Sequence, residues 1–197
     1  MKRNRFSVLT VPLVLATIAA WPLVSSATPT LSIEPPNQVV NVGDGVSLDV
    51  SVADVTDLFG YQFDVAFNPL VLAAQSITEG TFLSGGGSTF FIPGNIDNVA
   101  GIINFTANTL IGAIPGVNGG GVLAQMNFSA MGAGNSAVNF SGVTLLDSTL
   151  SDISVLIVPG SVQVQSSAVP EPASLWLVAS GIGWLGATRL YKVARRK

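Results

Sequence analysis

The chain has 197 residues, with eight Lys and Arg against eleven Asp and Glu, no His and no Cys. Three of the eight bases precede residue 28 and the other five follow residue 170, so the stretch between them holds ten acids and no positive side chain. That stretch lacks the cations that displace counterions from phosphate, the base and thiol of Ser-His or Cys-His catalysis, the usual nitrogen and sulfur ligands of zinc, and any disulfide framework. The predicted elements, in chain order, begin with a signal peptide over residues 1–27. Lys2, Arg3 and Arg5 form a positive n-region, Phe6–Val24 is apolar, and Ser25-Ser26-Ala27 supplies the small residues for a cut between Ala27 and Thr28. Pro12 and Pro22 interrupt the apolar run, which argues against a retained anchor helix.

Residues 28–168 read as one all-β domain. Val46, Leu48, Val50 and Val52 alternate with polar neighbours, as do Tyr61, Phe63, Val65 and Phe67. In the third such run Val122, Ala124, Met126 and Phe128 form one face, and Leu123, Gln125, Asn127 and Ser129 the other. Shorter strands are expected at 31–33, 70–77, 89–92, 102–110, 136–140, 155–158 and 161–165. Turn formers separate them, among them Gly43-Asp44-Gly45, Asn68-Pro69, Gly85-Gly86-Gly87, Gly119-Gly120-Gly121 and Pro159-Gly160. Many short strands with regular turns predict a single antiparallel β-sandwich of jelly-roll type. Phe63, Val65, Phe67, Leu72, Met126 and Phe128 are its expected core.

Within this domain Asp44, Asp54 and Asp57 could offer oxygens to calcium, but the twelve-residue spacing of an EF-hand loop is absent and acids in β-turns commonly cap their own backbone. Neither a metal nor a cofactor is expected. Paired carboxylates can hydrolyse glycosides, but the aromatic and basic surroundings of such a site are missing, so no catalytic residue is assigned and the protein is read as a non-enzyme. Gln62, Asp64 and Asn68 form a candidate strip facing a partner, weighed against the plainer reading of a solvated strand face.

The chain ends on Val169-Pro170-Glu171-Pro172, an apolar run, and the basic residues Arg189, Lys192, Arg195, Arg196 and Lys197. The two prolines hold the strap extended and free of ladder bonds. Residues 173–188 carry no charge and span about 24 Å as a helix. Extension to residue 190, with Arg189 snorkelling, makes 173–190 a membrane helix, and the basic end places the C-terminus in the cytoplasm.

Those three parts, in that order over residues 169–197, resemble the PEP-CTERM sorting signal of Gram-negative bacteria. The resemblance implies processing by a membrane-embedded exosortase near the Pro-Glu-Pro step. It also implies an inner-membrane-anchored precursor that is released to the cell surface or extracellular matrix. A permanent anchor is the alternative.

A second resemblance covers roughly residues 30–165. Val39–Gly45 "VVNVGDG", Gly60–Leu72 "GYQFDVAFNPLVL", Gly121–Ala130 "GVLAQMNFSA" and Pro159–Val164 "PGSVQV" are similar, in order and spacing, to the cohesins. These share a jelly-roll architecture with carbohydrate-binding modules. The resemblance implies protein–protein attachment through a calcium-loaded, dockerin-like partner. In type I cohesins, side chains at the positions of Gly60 and Gln62 help bind that partner, and here Gly60 offers none. The other function class is a polysaccharide-binding or structural matrix protein with an exopolysaccharide as partner. Its expected signature, exposed Trp or Tyr faces, is thin: between the two ends the only such residue is Tyr61, and its place in an alternating strand assigns it to the core.

Overall fold

The computed structural model describes residues 27–166. The signal segment up to residue 26, the strap Val169–Pro172, the helix expected at 173–190 and the basic end all lie outside them. Among the described residues no helix is long and apolar enough to cross a membrane.

Eleven strands form the domain: β1 Thr30–Glu34, β2 Asn37–Asn41, β3 Gly45–Ala66, β4 Leu72–Glu79, β5 Thr89–Ile92, β6 Asn95–Asp97, β7 Ile102–Leu110, β8 Val117–Ala130, β9 Gly134–Asp147, β10 Leu156–Val158 and β11 Gly160–Gln165. One helical turn, α1 Thr81–Ser84, follows β4 and buries Leu83. The 22-residue β3 organises the whole. Its first half pairs with β1 and β8, and β8 carries β4 on its other edge. Its second half pairs with β7 and β9, which extend through β5 and β6 on one side and β11 and β2 on the other. The long strand thus belongs to both layers of a sandwich.

The core between the layers contains Leu31, Leu48, Val50, Phe63, Val65, Leu72, Met126, Phe128, Leu145 and Val162. All six core residues expected from the alternation are buried. Phe63 stacks on Tyr61 at 5.7 Å and meets Phe140 edge-on at 5.6 Å, and Phe67 meets Phe128 edge-on at 5.3 Å. Such pairs add to simple burial.

Four expectations need correction. The sandwich is not wholly antiparallel, because β1 pairs β10 and β11 pairs β2 in parallel. Leu123, placed on the polar face of its strand, is fully buried, whereas Val122 is half-buried. The reason is a bulge: Val50 opposes Ala124 but Ser51 opposes Val122, so one residue of β8 is unmatched and the facing slips by one. Gly119-Gly120-Gly121 is not a turn but part of β8. A Cβ at Gly120 would lie 2.7 Å from the Val52 carbonyl oxygen and one at Gly121 2.9 Å from the Phe82 ring, so these glycines admit close packing. Finally, Pro159-Gly160 makes no reversal; it joins β10 directly to β11.

Candidate functional site

The outward face of β5–β7–β3–β9 holds a shallow depression. Two rows of side chains run across it in register. The first is Phe90, Thr109, Gly60 and Leu146, and the second is Ile92, Ala107, Gln62 and Thr144. Gly60 makes the floor, since a Cβ there would sit 3.2 Å from the Asn108 carbonyl oxygen. Phe90, Ile92, Leu146 and Leu150 line a shallow, mainly apolar depression around it. Phe90 is 60% exposed and Leu150 68% exposed, which is unusual for large apolar side chains grouped around one depression.

Polar residues beneath the sheet fix this face. Asn108, buried, donates from Nδ2 to Glu79 Oε1 at 2.8 Å, and the Thr89 hydroxyl donates to the same oxygen at 2.6 Å. With Thr89 turned inward, its neighbour Phe90 is turned out. The Tyr61 hydroxyl donates to the Leu123 carbonyl at 2.6 Å, and burial pushes its pKa far above the usual phenol value, so it remains a donor at every physiological pH.

The residues expected to face a partner divide here. Gln62 lies half-buried on the open face, in the second row. Asp64, the next outward position on β3, is engaged locally: its Oδ1 accepts the Phe105 amide at 2.7 Å. Asn68 is a turn residue. Its Oδ1 accepts the Leu70 amide at 3.1 Å and its own amide donates to the buried Ser136 hydroxyl at 2.9 Å. The face therefore brings together Gln62, Phe90, Leu146 and Leu150, three of which the sequence alternation did not single out. At the other end, Ala27 and Thr28 are exposed and precede β1.

Of the acids weighed for calcium, Asp44 lies in the turn before β3, and Asp54 and Asp57 lie within β3. Asp44 accepts the Asn41 amide at 2.8 Å, and Asp54 is exposed with a left-handed φ of 56°. Asp57 Oδ1 accepts the Gly116 amide at 2.7 Å, and its Oδ2 accepts the Ser148 hydroxyl at 2.6 Å. No group of three or more potential metal-ligating side chains occurs among the described residues. Hydrogen bonds from Ser148 and Gly116 hold the Asp57 carboxyl below the usual carboxylate value, and those from Thr149 and Ser151 do the same for Asp147.

A depressed folded pKa adds stability that is complete above the unfolded value, 3.8, and is lost as pH falls through the lowered one. Asp57→Asn and Asp147→Asn should each flatten the fall in melting temperature below about pH 4, as calorimetry from about pH 2 to 6 would show. An unchanged acid slope in both variants would contradict this origin of the acid sensitivity.

With the geometry in place, comparisons add the following. The family model described as "Cohesin domain" matches residues 29–164. Among solved structures, a non-cellulosomal cohesin from the hyperthermophilic archaeon Archaeoglobus fulgidus is similar at 12% identity and a TM-score of 0.58, over 72% of this chain and 94% of that one. A type I cohesin from Clostridium thermocellum, solved in complex with a dockerin, aligns at 17% identity and a TM-score of 0.58, over 71% and 100%. A type II cohesin from the cellulosome of Acetivibrio cellulolyticus aligns at 20% identity and a TM-score of 0.57, over 69% and 95%. No curated protein sequence matches the chain.

Proposed function

The chain belongs to the cohesin-domain family, and from that premise we propose that it is an exported, non-catalytic attachment module whose β5–β7–β3–β9 face receives a dockerin-like partner protein. The observation that carries the reading is the apolar depression ringed by exposed Phe90 and Leu150 and half-buried Leu146, in a family with relatives solved in cohesin–dockerin complexes. Charge defines the partner further. The domain has ten carboxylates and no Lys or Arg between residues 28 and 170, so every ion pair across the interface must take its cation from the partner. An apolar helix rimmed with Lys or Arg fits both features. An exopolysaccharide fits less well, because the depression is mainly apolar and lacks an exposed Trp or Tyr platform.

The sorting end completes the proposal. Val169–Pro172 would be read by an exosortase, with 173–190 delivering the strap to the membrane surface and the basic end holding it there. Cleavage would release an acidic domain to the cell surface or matrix.

Titration of calcium-loaded dockerin modules from the same genome into the full chain tests the binding half. One-to-one binding is expected, abolished by Leu146→Arg on the face and kept by Gln163→Arg on β11. Retention by insoluble glycan with no dockerin bound, or binding indifferent to Leu146→Arg, would overturn it. For the sorting half, Pro170→Ala with Pro172→Ala should leave the uncleaved chain in the inner membrane. A wild-type surface protein that still carries its C-terminal peptide would instead establish a permanent anchor.

A further inference from the structure

Among the described residues four that are not glycine have a left-handed φ: Asp54, Asp57, Phe105 and Leu150. Asp is among the residues that tolerate that region, and Asp57 is held there by hydrogen bonds from Gly116 and Ser148. Phe105, at φ 59°, and Leu150, at φ 62°, have no such excuse, and a bulky side chain there is strained. Both are exposed, Phe105 at 49% and Leu150 at 68%. Both also flank the same outer face. Leu150 lines the depression, and Phe105 adjoins Asp64, one outward position, or about 7 Å, beyond Gln62 along β3.

Each strained residue is held by a carboxylate. The ladder to β7 is broken opposite Asp64, and that to β9 one residue earlier, opposite Phe63. Phe63 pairs with Thr106 but Val65 with Ile103, and Gln62 pairs with Thr144 but Asp64 with Ser141. Extra residues therefore bulge from β7 at Asn104–Phe105 and from β9 at Gly142–Val143. Asp64 sits between the bulges. Its Oδ1 accepts the Phe105 amide, which the bulge has left without a ladder partner, and its Oδ2 lies 3.0 Å from where a Cβ on Gly142 would be. In the loop after β9, Asp147 Oδ1 accepts the amides of Thr149 and Ser151 and the Thr149 hydroxyl. Its carbonyl accepts the Leu150 amide at 2.9 Å. Asp57 ties Ser148 from the other side.

We propose that Phe105 and Leu150 are the two anchor residues by which the outer face takes its partner, and that Asp64 and Asp147 are positioning residues that preset them. This rests on the reading of that face as the partner surface. Strain stored at two exposed apolar residues has no use in holding the sandwich, since neither is in the core. It has one in binding, where an anchor fixed before encounter avoids the ordering cost of a mobile one. Asp64 and Asp147 act through the loop and bulge backbone and need not touch the partner.

The test separates anchoring from stability. Asn tolerates the left-handed region, so Phe105→Asn and Leu150→Asn should leave the melting temperature within about 3 °C of wild type while weakening dockerin binding about tenfold or more. Asp64→Ala should speed hydrogen exchange of the Phe105 amide at least about tenfold and weaken binding, whereas Asp64→Asn keeps an oxygen acceptor and should restore both. Wild-type exchange at Phe105 in Asp64→Ala, or wild-type binding despite fast exchange, overturns the positioning role. If Leu146→Arg abolishes binding while Phe105→Asn and Leu150→Asn bind normally, the face stands and the anchor assignment falls. If all three bind normally, the face reading falls with it.

Discussion

Truncating Phe63 or Phe128 to alanine is expected to cost about 3–5 kcal/mol each, enough to remove a large part of the stability of a domain this size. Both rings are essentially inaccessible to water. Phe63 lies between Tyr61 and Phe140, at the point where β3 passes between the bulges of β7 and β9. Neighbours pinned by two irregular ladders cannot collapse into the space left by the ring, so the cavity term should be near its full value. Phe128 is in the other layer, against Phe67. Polar controls on the same strands should behave differently. Gln125→Ala removes one exposed bond to Asp49 and should stay within about 0.5 kcal/mol, as should Gln62→Ala. Urea denaturation of the four variants, with unchanged slopes, is the measurement. Equal costs for the aromatic and polar sets would show that the facing is wrong.

That facing was legible where strands are regular. Val46 to Val52 and Tyr61 to Phe67 alternate without interruption, and period two reads their burial directly. Legibility fails at bulges, because one extra residue inverts the parity that the reading depends on. Leu123 was assigned to the polar face for that reason. Phe105 shows the same effect in reverse: in Asn104-Phe105-Thr106 a polar–apolar–polar step implies an inward ring, whereas the bulge opposite Asp64 turns Phe105 out and Thr106 in.

The apolar depression was hidden for a related reason. Phe90, Leu146 and Leu150 are apolar, so alternation alone assigns them to a core, and only the sheet order shows that they crowd one open surface. Leu150 did leave a trace: it sits among Asp147, Ser148, Thr149 and Ser151, turn formers that leave a large apolar residue nowhere to be buried. At Asp64 and Asn68 an outward carboxylate or amide reads the same in sequence whether or not it accepts a neighbouring backbone amide, as both do here.

Gly80→Ala is the other change expected to be severe, at about 3 kcal/mol or more. The backbone at Gly80, φ −82° and ψ 169°, suits any residue, so conformational strain plays no part. Space decides the outcome. A Cβ would fall 2.2 Å from the Val122 carbonyl oxygen and 2.7 Å from the Leu123 carbonyl carbon, and both obstacles are backbone. They cannot swing aside as a flexible side chain would, because the β8 bulge is held at this point from two directions. The Gly80 amide donates to the Leu123 carbonyl at 2.9 Å, and the Tyr61 hydroxyl donates to the same oxygen. Relieving the clash means moving β4 away from β8, which breaks the Gly80 bond and disturbs the seat of buried Leu123. A smaller cost, about 1 kcal/mol, is expected for Tyr61→Phe, which leaves the Leu123 oxygen one of its two donors. The two changes act on one oxygen and should not be additive in a double-mutant cycle. Once Gly80→Ala has displaced the bulge, removing the Tyr61 hydroxyl should cost less than it does alone. Full additivity would mean that the two donors hold β8 independently, and a Gly80→Ala cost below about 1 kcal/mol would mean that β4 is free to shift.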